Sequence, residues 1–180
     1  ARERGVRVFV ETLIQYLVLD KTWAEKPGFE GAKYVMSPPL RDAANQAVLW
    51  NGLASGLVQT VGTDHAPFDF ASQKPMGKDD FTKIPNGIPS IEDRINLLWT
   101  HGVKRGRLSL QQFVAVASTN AAKIFGLWPR KGVIQPGADA DLVIYDPAYR
   151  GTLSAKTQTQ AVDYNAFEGW PIEGRPAVVT

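Results

Sequence analysis

The sequence reads as an α/β chain, and three observations predict it. The run Leu57-Val58-Gln59-Thr60-Val61 is mostly apolar with β-branched members, as in a buried strand, and it stops at Gly62. Ile91, Ile95, Leu98 and Trp99 recur at helical spacing, which makes them core residues of one helix face. After Pro129 the helical period gives way to short glycine-bounded apolar runs, Gly132-Val133-Ile134 and Ala140 to Asp146, which read as strands. The change of period divides the chain into an α/β part, residues 1–127, and part of a small β domain, residues 128–180.

Each element follows from its own residues. Ala1 to Gly5 resembles the last turn of a helix closed by a glycine. Val6 to Glu11 is β-branched and apolar and reads as a strand. Thr12 to Asp20 continues as a short helix or turn. Lys33 to Ser37 is a brief extended run halted by Pro38-Pro39. Arg41 to Trp50 carries helix formers, with an apolar face at Ala44, Ala47 and Val48 and an end at Gly52. Phe70 to Pro89 is a long polar loop rich in lysine, aspartate, glycine and proline, and a loop of that length is more often functional than idle. Ser90, followed by Glu92 and Asp93, resembles a helix N-cap with an acidic first turn. Ser109 caps a further helix bearing Leu110, Phe113 and Val114, and Gly126 closes the turns after Thr119. Trp50, Trp99, Phe113 and Trp128 read as core aromatics, and His101 as a surface or C-cap residue.

Composition narrows the function classes. The 180 residues are 44% hydrophobic and 21% charged, an ordinary globular balance. A net charge of +2 gives no argument for nucleic acid, and Lys104, Arg105 and Arg107 read as a solvated loop. The absence of cysteine excludes disulfides and thiolate metal sites and fits the cytoplasm. No apolar run approaches the ~20 residues of a membrane span, so neither nucleic acid nor membrane is an expected partner. Neither end resembles a natural terminus, which suggests an internal piece of a longer protein.

The chemistry concentrates in Gly62-Thr63-Asp64-His65-Ala66-Pro67-Phe68, where the expected strand delivers an aspartate, a histidine and a proline in four residues. A carboxylate there can ligate a cation and relay a proton. Taken alone, an Asp-containing turn is the simpler reading. Strand alternation adds that if Asp64 faces a site, His65 faces away from it as a structural histidine.

Other stretches change that balance. Tyr34-Val35-Met36-Ser37-Pro38-Pro39-Leu40-Arg41, Ile84-Pro85-Asn86-Gly87-Ile88-Pro89, Gly137-Ala138-Asp139-Ala140-Asp141-Leu142-Val143 and Val162-Asp163-Tyr164-Asn165-Ala166-Phe167-Glu168-Gly169, together with the Asp64 segment, resemble the cyclic amidohydrolases, and within them the dihydropyrimidinase and hydantoinase family. The resemblance runs over essentially the whole chain. It implies the C-terminal part of a (β/α)8 barrel with part of a β-sandwich domain. It also implies two divalent metals, usually zinc, held by histidines, a carboxylated lysine and one aspartate, and sharing a bridging hydroxide. Asp64 matches that aspartate, as metal ligand and catalytic proton shuttle. Ser37 and Asn86 match positions that hold the substrate ring. For each, a turn-forming role is the alternative, Asn86 as the left-handed residue of a Pro-Asn-Gly turn.

The implied reaction is hydrolysis of the cyclic amide of a dihydropyrimidine or 5-substituted hydantoin, a small cyclic imide or ureide, by an enzyme commonly tetrameric. With only two histidines, and with ~250 residues needed for such a barrel, the chain cannot build the metal centre alone and is expected to be inactive by itself. Dihydroorotase or allantoinase is the first rival. Dihydroorotate carries a carboxylate, and Phe68 stands where dihydroorotases typically have histidine. The second rival is a non-catalytic dihydropyrimidinase-like assembly protein.

Overall fold

In the computed structural model, which describes residues 1–180, two short strands lie side by side. Strand β1 (Glu11–Leu13) pairs in parallel with β2 (Thr60–Gly62), Glu11 opposite Thr60 and Leu13 opposite Gly62. A parallel pair needs a long crossover. Here it contains helix α1 (Ile14–Val18), a loop, and helix α2 (Ala44–Ala54). The parallel array extends by one further bridge, His65 to Ile88.

The first strand is shorter and later than its sequence suggests. Val6 to Val10 form no ladder: the Val10 carbonyl accepts the Gln59 N–H, but side chains take two of the other backbone groups. The Arg2 guanidinium donates to the carbonyls of Val8 and Leu57, and the Val10 N–H donates to the Gln59 side chain. In α2 the expected face is solvent-exposed, Val48 included, whereas Trp50, Gly52 and Leu53 are buried. The helix runs through Gly52 because a side chain there would meet Val58, with a Cβ only 2.9 Å from its Cγ2. The missing Cβ lets that turn reach the core.

Helix α3 (Arg94–Leu98) continues into a π-helical turn, Trp99–Val103. Ser90 does not cap it; the serine is fully buried and its hydroxyl donates to the Thr63 carbonyl. Of the expected α3 face, Leu98 and Trp99 are buried while Ile91 is exposed, since Ile91 lies before the first turn. Helix α4 (Leu110–Val114) passes through a second π-helical turn, Ala115–Thr119, into α5 (Asn120–Ile124), and Gly126 follows with φ 72°. The Ser109 cap is present in full. Its hydroxyl accepts from the Gln112 N–H, and the Gln112 side chain accepts from the Ser109 N–H.

Beyond α5 there is no helix. Strands β3 (Val143–Thr152) and β4 (Pro171–Val179) form an antiparallel ribbon from Val143 opposite Val179 to Thr152 opposite Pro171. Its register breaks between Asp146 and Arg150, around Pro147, which has no N–H for the ladder. The expected strand at Gly132 to Ile134 does not form.

One cluster of 22 buried residues joins both halves of the chain. Ile14, Leu17, Trp50, Leu97, Leu98 and Phe113 pack with Leu153, Tyr164, Phe167 and Ile172. Residues 153–170 are drawn onto the helices by polar anchors as well. The Tyr164 hydroxyl donates to the Lys33 carbonyl (3.0 Å), and the Glu92 carboxylate accepts the N–H groups of Thr159 and Gln160. Trp50, Trp99 and Phe113 are core aromatics as expected, but Trp128 is exposed beneath the Lys123 ammonium. No helix is long and apolar enough to cross a membrane.

The capping box gives a local test. Ser109→Ala is expected to lower unfolding stability by about 1 kcal/mol, with Ser109→Asp close to wild type. Denaturant unfolding of the two variants against wild type measures it.

Candidate functional site

Strand β2 ends at a crowded point. A Cβ on Gly62 would sit 2.8 Å from the Glu11 carboxylate, so any side chain there would push the Glu11 side chain aside. The next carbonyl, of Thr63, accepts two hydrogen bonds, from the Gln15 amide (2.6 Å) and the Ser90 hydroxyl (3.1 Å). The chain then turns. Asp64 has φ 46° and is the only non-glycine residue in the left-handed region. Aspartate is among the few residues that visit it, because a short polar side chain can be accommodated there. The turn leaves the Asp64 side chain exposed beyond the strand end.

His65 faces back into the protein. Its Nδ1 accepts the N–H groups of Ser90 (3.1 Å) and Ile91 (3.3 Å), which leaves the ring proton on Nε2. Burial lowers its pKa, so the ring is a neutral acceptor holding the 88–91 segment. The structural reading of His65 agrees with this geometry. His101 does not follow its sequence reading: it lies within the π-helical turn against the Trp170 ring, and burial pushes its pKa down to about 4.

Ser37 and Asn86, 49 positions apart, meet directly. The Ser37 hydroxyl donates to the Asn86 side-chain oxygen at 3.1 Å, and the Asn86 amide donates to the Ile84 carbonyl at 3.1 Å. Both residues are exposed. Asn86 is not left-handed, which removes the turn role considered for it. The Gly87 N–H donates to the Val35 carbonyl (2.9 Å), joining the two loops. A Cβ on Gly87 would lie 2.2 Å from the Ala66 oxygen, so the second loop rests against a residue two positions from Asp64. Tyr16 completes the neighbourhood. Its hydroxyl donates to the Pro38 carbonyl at 2.6 Å, and its pKa is raised by burial and then by the charge of Asp64. Asp64, Tyr16, Ser37 and Asn86 thus share one region at the strand ends. A groove of about 340 Å³ touches Tyr16 and Pro38 but is lined by none of Asp64, Ser37 and Asn86.

Three supporting residues escape a reading of the sequence. Gln15, fully buried, is a polar residue inside an apolar run, a signal that could have marked it. Ser90 looks like a helix cap. Lys74 has no signal at all, since a lysine in a polar loop reads as surface charge. It is in fact fully buried, and its ammonium donates to the carbonyls of Pro85 (2.6 Å), Gly87 (2.9 Å) and Val35 (3.4 Å).

No three histidine, cysteine, aspartate or glutamate side chains come together in a metal-binding group. The exposed Asp64 carboxylate suits a cation ligand, but as a single donor.

The double acceptor at Thr63 can be tested by stability. Gln15→Leu removes one donor and is expected to cost about 1–3 kcal/mol. Gln15→Glu, which turns a carboxylate oxygen toward the Thr63 carbonyl, is expected to cost more. Equal stability of wild type and Gln15→Glu in denaturant would contradict the account of this junction.

With that geometry in hand, the chain can be compared with known proteins. The model of the amidohydrolase family matches residues 35–174. A D-hydantoinase of Geobacillus stearothermophilus is 57% identical over 179 residues, which cover 99% of this chain and 38% of that protein. A dihydropyrimidinase of Rattus norvegicus is 47% identical over 180 residues, 34% of its own length. A solved structure of D-hydantoinase (dihydropyrimidinase) from Thermus sp. superposes with a TM-score of 0.96 at 62% identity, covering 99% of this chain and 39% of that one. The chain therefore spans less than two-fifths of the length of these relatives and belongs to the amidohydrolase family.

Proposed function

We propose that this chain is part of a cyclic amidohydrolase of the dihydropyrimidinase and hydantoinase type, hydrolysing the ring amide of dihydropyrimidines or 5-substituted hydantoins. The observation that carries the reading is the convergence of an exposed carboxylate, Asp64, with the hydrogen-bonded pair Ser37 and Asn86. The relatives named hydantoinase and dihydropyrimidinase support the substrate class. The parallel register running through residues 11–13, 60–62 and 88 supports an arc of a (β/α)8 barrel. The ribbon of β3 and β4 is then part of a β-sandwich, with the boundary near residue 127 and residues 153–170 crossing back over the barrel helices.

Opening an unstrained cyclic amide needs an activated water, a polarised carbonyl and a proton for the departing nitrogen. A pair of divalent metals, zinc by family resemblance, supplies the first two when bound. Asp64 would hold one of them, and the resemblance implies that the other ligands, a carboxylated lysine among them, would come from outside these 180 residues. Its free carboxylate oxygen takes the proton of the attacking water and passes it to the ring nitrogen. Ser37 and Asn86 meet the carbonyl and N–H edge of a neutral imide with main-chain and side-chain groups, none of them charged. That neutrality favours a cyclic imide or ureide over the anionic dihydroorotate, whose carboxylate calls for a cationic partner. A cytoplasmic homotetramer is the assembly that the resemblance suggests.

The full-length enzyme tests this. Asp64→Asn keeps shape but removes the charge and the proton relay, so turnover of hydantoin or dihydrouracil is expected to fall by at least about 10²–10⁴-fold, with loss of bound metal. Ser37→Ala is expected to change turnover far less. Near-normal turnover and metal content in Asp64→Asn would overturn the assignment.

A further inference from the structure

We propose that Lys74 is the positioning residue of the ring-binding pair, its buried ammonium setting where Ser37 and Asn86 stand. The inference rests on reading those two residues as substrate contacts. Lysine is almost never fully buried without a partner of opposite charge, because desolvating an ammonium is costly. Lys74 is fully buried, and what surrounds its ammonium is a set of main-chain oxygens rather than a carboxylate. The Phe68 ring, centred 5.8 Å away, is the nearest aromatic face. An ammonium has three donors and no acceptor, and here three carbonyls meet it.

The identity of those carbonyls is what matters. Pro85 and Gly87 are the residues on either side of Asn86, and Val35 is two residues before Ser37. One cation therefore fixes both backbones that present the pair. The pair's own contact, hydroxyl to amide oxygen at 3.1 Å between two exposed side chains, is too weak to do this in water. The lysine is itself held from behind. The turn at Lys74–Gly77 packs so closely on the second loop that a Cβ on Gly77 would fall 2.2 Å from the Ile84 nitrogen. Burial lowers the Lys74 pKa to about 8, which still leaves the ammonium the major form at neutral pH.

A residue that only holds the fold together would, when replaced, reduce stability, kcat and metal content together. A residue that positions the ring contacts would act first on substrate binding. The experiment uses full-length enzyme carrying Lys74→Met, of similar length with no donor, and Lys74→Gln, which retains two N–H donors. With hydantoin as substrate, Lys74→Met is expected to raise KM about tenfold or more, with kcat changed by less than about threefold and metal content unchanged. Lys74→Gln is expected to lie between wild type and Lys74→Met, and it gives the same reading if the Met variant does not fold. Hydrogen–deuterium exchange is read in parallel: amides of residues 84–91 are expected to exchange faster in the variants, and those of 110–124 at the wild-type rate. Unchanged KM with unchanged exchange at 84–91 would overturn the proposal, as would a fall in kcat and metal content at constant KM. A wild-type enzyme without activity on hydantoin or dihydrouracil would count against the functional reading alone. The contrast in exchange between 84–91 and 110–124 would then still support or overturn the Lys74 clamp.

Discussion

The backbone of β2 and the residues just after it form the junction on which the rest of the chain depends. Three-residue strands are too short to hold a sheet by their ladder alone. Side chains from the surrounding elements complete the bonding. Asn120 of α5 donates to the Gln59 carbonyl, Arg94 of α3 to that of Val61, and Gln15 of α1 with Ser90 to that of Thr63. Each donor comes from a different segment, so the strand cannot shift register without breaking bonds to several elements at once. The left-handed turn at Asp64 follows directly after the last of these anchors. A conformation of that kind costs of order 1–3 kcal/mol and persists only where its surroundings over-determine it. The doubly bonded Thr63 carbonyl on one side and His65, tied to Ser90 and Ile91, on the other provide that determination.

Two buried charges near this junction are both met by neutral dipoles rather than by opposite charges. Lys74 is neutralised only by dipoles, the carbonyl ends of three peptide groups. Asp93, also buried, takes the Asn165 amide on both oxygens, and burial raises its pKa to about 6. Neither charge is spent on the exposed face where Ser37, Asn86 and Asp64 stand. The buried lysine organises loops, and the buried aspartate pins residue 165 to the start of α3. On the exposed face Ser37 and Asn86 present neutral donors and acceptors, with the Asp64 carboxylate and the exposed Arg41 guanidinium both acting on Tyr16.

Much of this was legible in the sequence, for identifiable reasons. The Ser109 capping box, the glycine at 126 and the helical spacing of Leu98 and Trp99 depend on neighbours a few residues away, and those signals survive into the fold. The strand ending before Asp64 was legible because β-branched residues run up to a glycine at the strand end. What failed depends on distant partners. Val6 to Val10 has a strand's composition, yet Arg2 and Gln59 take its backbone groups. The apolar residues Ala44, Ala47 and Val48 suggested a buried face, but the close approach of Gly52 to Val58 buries the other end of α2 instead. Ser90 reads as a cap because its neighbours are acidic, although its hydroxyl is claimed by a carbonyl 27 residues earlier. The Ser37 to Asn86 contact, across 49 residues, has no local signature, and reached the sequence reading only through family resemblance.

The site divides into a part that this chain specifies by itself and a part that it does not. The loops proposed to hold the ring are specified within it: residues 35–37, the turn at Lys74–Gly77 and residues 84–88 brace one another through hydrogen bonds that all lie inside the chain. The cation-holding geometry is not, since the exposed Asp64 has no second and third ligand grouped with it. The two parts meet at Ala66 beneath Gly87, at His65, which bridges Ile88 and accepts the Ser90 and Ile91 N–H groups, and at the Tyr16 hydroxyl, which donates to the Pro38 carbonyl and feels the charge of Asp64. Under the proposed function, substitutions in the 35–37 and 84–88 loops would re-aim the ring edge, and those that move Pro38 would also move the Tyr16 hydroxyl that feels the charge of Asp64. On that reading, fit to the ring would fall to these two loops and transfer of the proton to Asp64, with Tyr16 standing between them.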